Sequence, residues 1–262
     1  ESSVTRLGRV QDALEEVALG GTAVGTGVNT HPEFSARTCK LLSEMTGVRI
    51  RETDNHFQAQ CTLDALVEAS GALKTVAVSL HKIANDIRLM ACGPRAGFGE
   101  ITVPEVQPGS SIMPGKVNPV ISESVIQVVA QVFGNHEAVA MAGHGSYFEL
   151  NTMMPVAAHN ILQSISLLAT SANNFAEQCV TGIEATSVGP EMLEKGLMLG
   201  TGLAPEIGYD AAAAIAKEAA ATGKTIREVA KEKTSLSDAD LDRLLDAQAM
   251  TEPGLGAGGG GG

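Results

Sequence analysis

The chemistry of this chain is concentrated in Gly109-Ser110-Ser111-Ile112-Met113-Pro114-Gly115-Lys116-Val117-Asn118-Pro119. Ser110 and Ser111 offer hydroxyls and main-chain N–H groups, Lys116 a positive charge, and Asn118 a carboxamide that both donates and accepts. Such a set suits an anionic ligand. Pro119 then opens an apolar periodic run, so the loop feeds the N-terminus of a helix, whose dipole favours nearby anions. A Gly/Ser/Pro cluster between two apolar runs is also how an ordinary surface loop reads. Composition by itself leaves both readings open.

Other chemistry-bearing residues are scattered. Histidine is the usual general base at neutral pH, yet the six histidines form no cluster in the sequence. His31 and His56 fall in loops, His81 and His159 on long helices, and His136 and His144 near a helix end. Each reads first as a structural residue. Glu123, five residues after Asn118, reads as a carboxylate that stabilises the first turn of the helix after the loop. The run from Gly20 to Gly27 lacks the Gly-Lys-Ser/Thr ending of a phosphate loop and reads as a turn between helices. Asp54-Asn55-His56 is too compact to surround one ion, so no metal is expected. Cys39, Cys61, Cys92 and Cys179 follow no metal-binding spacing and are expected as buried free thiols.

The elements that must hold the loop are helices. From Gln58 to Cys92, apolar residues at Leu66, Ala69, Leu73, Val76, Leu80, Ile83, Ile87 and Met90 alternate spacings of three and four, a heptad seam on one long helix ended by Gly93-Pro94. A second helix runs from Pro119 to about Met141 on Ile121, Val125, Val128, Val132 and Val139. A third runs from about Thr152 to Cys179 on Ile161, Ile165, Leu168, Ala172, Phe175 and Cys179, with Pro155 tolerated in its first turn. Shallow packing of these into a bundle is expected. After Gly182 short helices follow: Pro190 to Leu203, Pro205 to Ala221, Thr225 to Lys233 and Ser237 to Ala247. Thr225-x-x-Glu228 and Ser237-x-x-Asp240 are capping boxes. Only Val48 to Ile50 and Ile101 to Val103 read as β-prone. The fold class is therefore all-α.

The expected organisation is a central long-helix domain over 1–184 carrying the loop 107–119, a small C-terminal helical domain over 185–252, and a Gly-rich disordered tail over 253–262. Leu7, Val10, Leu14 and Val17 recur at helical spacing with no clear cap before them, so the chain reads as beginning inside a helix. With 18 Lys and Arg against 30 Asp and Glu, the net charge of −12 argues against a nucleic-acid face. No apolar run approaches the ~18 residues of a membrane span, and no secretory segment opens the chain; a reducing cytoplasm is the expected location.

The eleven residues from Gly109 to Pro119 resemble the loop that marks the fumarase/aspartase superfamily. The likeness continues through Gly20-Gly21-Thr22-Ala23-Val24-Gly25-Thr26-Gly27-Val28-Asn29-Thr30-His31-Pro32-Glu33-Phe34, Ala84-Asn85-Asp86-Ile87-Arg88, Gly93-Pro94-Arg95 and Phe148-Glu149-Leu150-Asn151, which look like segments of class II fumarases in that family's order. Nearly the whole chain is covered.

The resemblance implies a long-helix bundle that joins a multi-subunit helical core, and a hydratase interconverting malate and fumarate through an aci-carboxylate intermediate. It implies Ser110 as the base, Ser111, Lys116, Val117 and Asn118 as substrate-binding residues, Glu123 as a support that polarises a catalytic histidine, and Gly109 and Gly115 as the points that let the loop open and close. It implies no cofactor, a small dicarboxylate as substrate, and a homotetramer whose active sites are shared among subunits, with no nucleic-acid or membrane partner. The family also has two upstream motifs, a Ser/Thr and Asn ligand set and a Thr-His pair followed by Asp-Ala. Neither occurs in these residues, so the chain reads as N-terminally truncated, carrying one third of a site and inactive by itself. An aspartate ammonia-lyase is the nearest alternative. A non-catalytic helical assembly subunit is the alternative of another class.

Overall fold

The computed structural model describes residues 1–93, 95–145 and 147–254. The chain forms two compact units: Glu1–Leu89 with Val103–Ile183, and Met90–Thr102 with the chain from Glu184 onward. Pro94, expected to help end the first long helix, and 255–262 of the expected tail lie outside the described residues.

The first unit begins with helix α1 (Ser2–Leu14), strand β1 (Glu16–Val17), helix α2 (Phe34–Thr46), strand β2 (Arg51–Glu52) and helix α3 (His56–Cys61). Strands β1 and β2 pair in parallel, a contact of two residues each. Glu16 ties the pair, its carboxylate accepting from the Thr53 hydroxyl at 2.5 Å and meeting Arg51 at 2.5 Å. The Thr53 hydroxyl first, and Arg51 with it, holds the Glu16 carboxyl below its usual range.

Three long helices follow, α4 (Asp64–Met90), α5 (Val120–His144) and α6 (Met154–Gln178). The helix expected to run unbroken from Gln58 is interrupted. Thr62 adopts an extended conformation (φ −124°, ψ 160°) that ends α3, and Asp64 occupies the first turn of α4, where a carboxylate favours a helix start.

Helices α5 and α6 form an antiparallel hairpin. On α6 the buried residues Ala157, Ile161, Ser164, Leu168, Ser171 and Phe175 alternate spacings of four and three, and on α5 Ser122, Val125, Val129, Val132, Asn135, Val139 and Ala142 face inward. Val129 therefore takes the inward position expected for Val128. The register is marked by polar pairs: the Asn135 amide donates to Gln163 Oε1 at 3.0 Å and Ser164 Oγ at 3.1 Å, while Gln131 donates to Asn135 Oδ1 at 2.8 Å. Near the other end of the hairpin, Ser122 meets the Cys179 sulfur at 4.0 Å. Burial pushes the Cys179 thiol up from its ordinary pKa.

Helix α4 lies on α5 through Ser70, whose hydroxyl meets His136 Nδ1 at 3.1 Å, and Lys74, which bonds Glu137 at 2.8 Å with its ammonium 5.4 Å from the centre of the Phe133 ring. The buried stripe of α4 is largely alanine, at Ala69, Ala72, Ala77 and Ala84, joined by Ser70, Leu73 and Ile87. Several large residues of the expected seam lie outside it: Ile83 is 48% exposed, with Val78 and Leu89 beside it at 52% and 55%. These bulky residues are left facing outward. Of the four cysteines expected to be buried, Cys39 and Cys179 are; Cys61 and Cys92 are half-buried, and all four are free.

The second unit pairs β3 (Ile101–Thr102) antiparallel with β4 (Glu184–Ala185). Helices α7 (Val188–Lys195), α8 (Ala204–Ile207), α9 (Tyr209–Thr222), α10 (Ile226–Lys233) and α11 (Asp238–Leu244) follow. The helix expected from Pro205 to Ala221 is split at Gly208, whose φ of +84° only glycine adopts readily. Leu199, Leu203, Ile215, Ile226, Val229 and Leu241 are central to its core. Both capping boxes are formed, at Thr225/Glu228 and Ser237/Asp240. Hydrogen bonds from Thr225 and Ser237 hold the Glu228 and Asp240 carboxyls below their ordinary pKa values.

Asn135→Ala would strand the buried partners of its amide, and a loss of about 1–3 kcal/mol in stability is expected from urea unfolding. The capping boxes carry a pH signature. Because folding depresses these carboxyl pKa values, their contribution is present above the ordinary carboxylate range and is lost as pH falls through the folded values. The thermal midpoint should therefore fall on acidification, and Glu228→Gln with Asp240→Asn should flatten that dependence without abolishing it, since Glu16 and Glu137 are also held low.

Candidate active-site loop

The loop from Gly109 to Asn118 lies in the first unit, immediately before α5. Its ends are tied together. The Gly109 N–H donates to the Lys116 carbonyl oxygen at 3.0 Å, and the Asn118 side-chain amide donates to the Gly109 carbonyl oxygen at 2.7 Å. A Cβ built on Gly109 would collide with the Lys116 carbonyl oxygen. Gly109, read from the sequence as a point of loop opening, is thus required for a close backbone approach. Gly115 turns the tip at φ +75° with open space around it, a conformation suited to glycine.

Inside the tie, Ser110 organises the tip. Ser110 is half-buried, and its Oγ accepts from the N–H groups of Ile112 at 3.2 Å and Met113 at 3.1 Å. Two N–H dipoles aimed at one oxygen stabilise negative charge on it, as in an oxyanion hole. Ser111, Lys116 and Val117 are exposed, and Asn118 is half-buried. Lys116 has no ion pair among the described residues, so its charge is not neutralised locally. At the start of α5 the Asn118 carbonyl accepts from Val120 N–H at 2.8 Å and the Pro119 carbonyl from Glu123 N–H at 3.0 Å. No side chain caps this helix, so apart from the Val120 N–H its start is left to the pull of the helix dipole on anions, and Glu123 sits in the first turn as the expected carboxylate.

A second polar feature forms around the Gly20–Gly27 segment, which the sequence marked only as a turn. Gly25 and Gly27 both donate to the Gly21 carbonyl, at 3.0 and 3.1 Å. The turn helps enclose a pocket of about 300 Å³ lined in part by His31, Ser35, Glu52 and His56. His56 Nε2 lies 3.1 Å from the Leu19 carbonyl and 3.4 Å from Glu52 Oε1, and His31 Nδ1 accepts from Glu33 N–H at 3.1 Å. The two histidines, which seemed unrelated in sequence, share this pocket. Their convergence depends on the turn and on β2, and the one sequence signal for it was the density of glycines and hydroxyls. Among the described residues no three His, Cys, Asp or Glu side chains gather as metal ligands, and no helix is long and apolar enough to cross a membrane.

Comparison with known proteins gives the family. A family profile described as "Lyase" matches residues 1–134, and a second described as "Fumarase C C-terminus" matches residues 199–252. A fumarate hydratase class II from Neisseria meningitidis is 50% identical over 254 residues, covering 94% of this chain and 54% of the relative. One from Xylella fastidiosa is 46% identical across 100% of this chain and 55% of its own length. Among solved structures, a fumarate lyase from Brucella melitensis bound to cobalt superposes with a TM-score of 0.91 at 45% identity, covering 96% of this chain and 55% of its own. The class II fumarase of Schistosoma mansoni gives 0.90 at 34% identity, over 95% and 55%. The chain spans about half the length of the curated relatives it matches. On these residues and this helical fold, the chain belongs to the lyase family, its C-terminal segment matching that of fumarase C.

Proposed function

We propose that this chain supplies the proton-abstracting loop of a fumarate hydratase-type lyase that interconverts malate and fumarate. The observation that carries the proposal is the Ser110 hydroxyl, which accepts two main-chain N–H bonds within an uncapped, cation-bearing loop. The similarity to class II fumarate hydratases supports it.

A hydroxyl is a poor base in water. Ser110 acts as an alkoxide here because the Ile112 and Met113 N–H groups solvate the charge in a fixed geometry, with no solvent reorganisation during reaction. The alkoxide takes the proton from the carbon next to a substrate carboxylate, and the electron pair moves into that carboxylate to give an aci-carboxylate dianion. Lys116 and the N-terminal dipole of α5 bear on that extra charge, with Ser111, Val117 and Asn118 bordering the same carboxylate. The electron pair then returns, the carbon–carbon double bond forms, and the neighbouring carbon–oxygen bond breaks. The leaving oxygen takes up one proton and departs as water, while Ser110 gives up the proton it gained, so the alkoxide is restored and no net proton is gained or lost. Glu123, in the first turn of α5, supports the site by orienting a group that faces it.

Association of copies completes the site in this reading, with a tetramer as the assembly. The outward-facing Val78, Ile83 and Leu89 of α4 and Leu162 and Ile165 of α6 support it, since apolar residues on long helices seek partners. A cytoplasmic place in the tricarboxylic acid cycle belongs to the same reading.

In a lyase-active preparation, Ser110→Ala should leave the far-ultraviolet circular dichroism unchanged and lower the malate-to-fumarate rate by at least about a hundredfold, the scale of a lost general base. Undiminished turnover would overturn the assignment of Ser110. Ammonia release from aspartate without hydration of fumarate would move the chain to the ammonia-lyases.

A further inference from the structure

We propose that Asn118 is a positioning residue, a latch that closes the neck of the loop and thereby fixes Ser110; the functional meaning rests on the lyase reading of Ser110. Expected from sequence as a substrate ligand, Asn118 already spends one amide proton inside the protein. Its Nδ2 donates to the Gly109 carbonyl oxygen at 2.7 Å, a shorter bond than the 3.0 Å main-chain bond from Gly109 to Lys116 beside it. Both polar groups of the Gly109 backbone are therefore held, the N–H by Lys116 and the carbonyl by Asn118.

The peptide so clamped is the one that joins Gly109 to Ser110. Its carbonyl is the Asn118 acceptor and its nitrogen belongs to Ser110, so the latch sets the plane from which the Ser110 side chain departs. The two N–H bonds from Ile112 and Met113 then complete a closed circuit from the start of α5 to the serine oxygen. The clamp also accounts for a glycine at 109, where a Cβ would collide with the Lys116 carbonyl oxygen. Loop motion in this arrangement is motion of a tied unit about its flanks, Gln107-Pro108 and Pro119, because the neck is closed.

Amide hydrogen exchange on the full chain tests this without recourse to turnover. Asn118→Ala should speed exchange at the Gly109, Ile112 and Met113 N–H groups by about tenfold, the scale of one lost hydrogen bond. Asn118→Asp, which keeps the shape and removes the donor, should do the same, and this near-isosteric variant guards against misfolding of the first. Unchanged exchange at these three sites in both variants would overturn the latch. Ser110→Ala separates this inference from the reading beneath it: exchange should quicken at Ile112 and Met113 while Gly109 stays protected, whatever its effect on turnover. In a lyase-active preparation the latch predicts a fall in kcat for Asn118→Asp, and a rise in KM at constant kcat would assign Asn118 to substrate alone.

Discussion

The pairing of α5 with its two neighbours is the constraint from which the rest of the first unit follows. This helix meets α6 through Asn135, Gln163 and Ser164, and α4 through His136, Ser70, Glu137 and Lys74. Apolar burial along valines supplies attraction but little register, since one valine fits much like the next. The polar pairs supply register, because a slip would leave the Asn135 amide buried without partners. Fixing α5 fixes the point at which the loop must end. Ser122, fully buried beside Cys179, anchors α5 just after Asn118 and Pro119.

An anion site at the loop, as proposed, is compatible with an acidic chain on electrostatic grounds. The net charge of −12 acts through solvent, where salt screens it within about 10 Å. The loop acts at contact distance, through main-chain N–H groups, one exposed lysine and an uncapped helix start. Fixed dipoles at contact distance outweigh a diffuse field, provided their geometry is held. Holding it is the task of the tied neck, which needs Gly109 for its close approach and Gly115 for its left-handed turn.

Local signals in the sequence were readable where one element sufficed to produce them. The inward places of Ile161, Leu168 and Phe175 are a property of a single helix, and so are the capping boxes at Thr225 and Ser237, whereas Ile165, expected inward, is exposed and Ser164 is buried in its place. The break at Thr62 was hidden because no glycine or proline marks it, and the apolar pattern runs on in phase across it. The inward face of α4 takes alanines in place of Ile83, a choice between faces that spacing does not record. The loop composition suits an anionic ligand, yet the tie between Gly109 and Asn118 spans nine residues and exists only once the backbone closes. Similarly, His31 and His56 line one pocket beside a turn held by backbone bonds to Gly21, which their identity and spacing alone do not record.

The central claim is that a dicarboxylate is bound at the head of α5 by the tied loop. The most direct test is a hydrogen-exchange footprint of a lyase-active preparation with and without malate. New protection concentrated in Gly109 to Asn118 and the first turn of α5 is the result this account requires. Protection confined to the pocket of His31 and His56, with the loop unaffected at saturating malate, would contradict it.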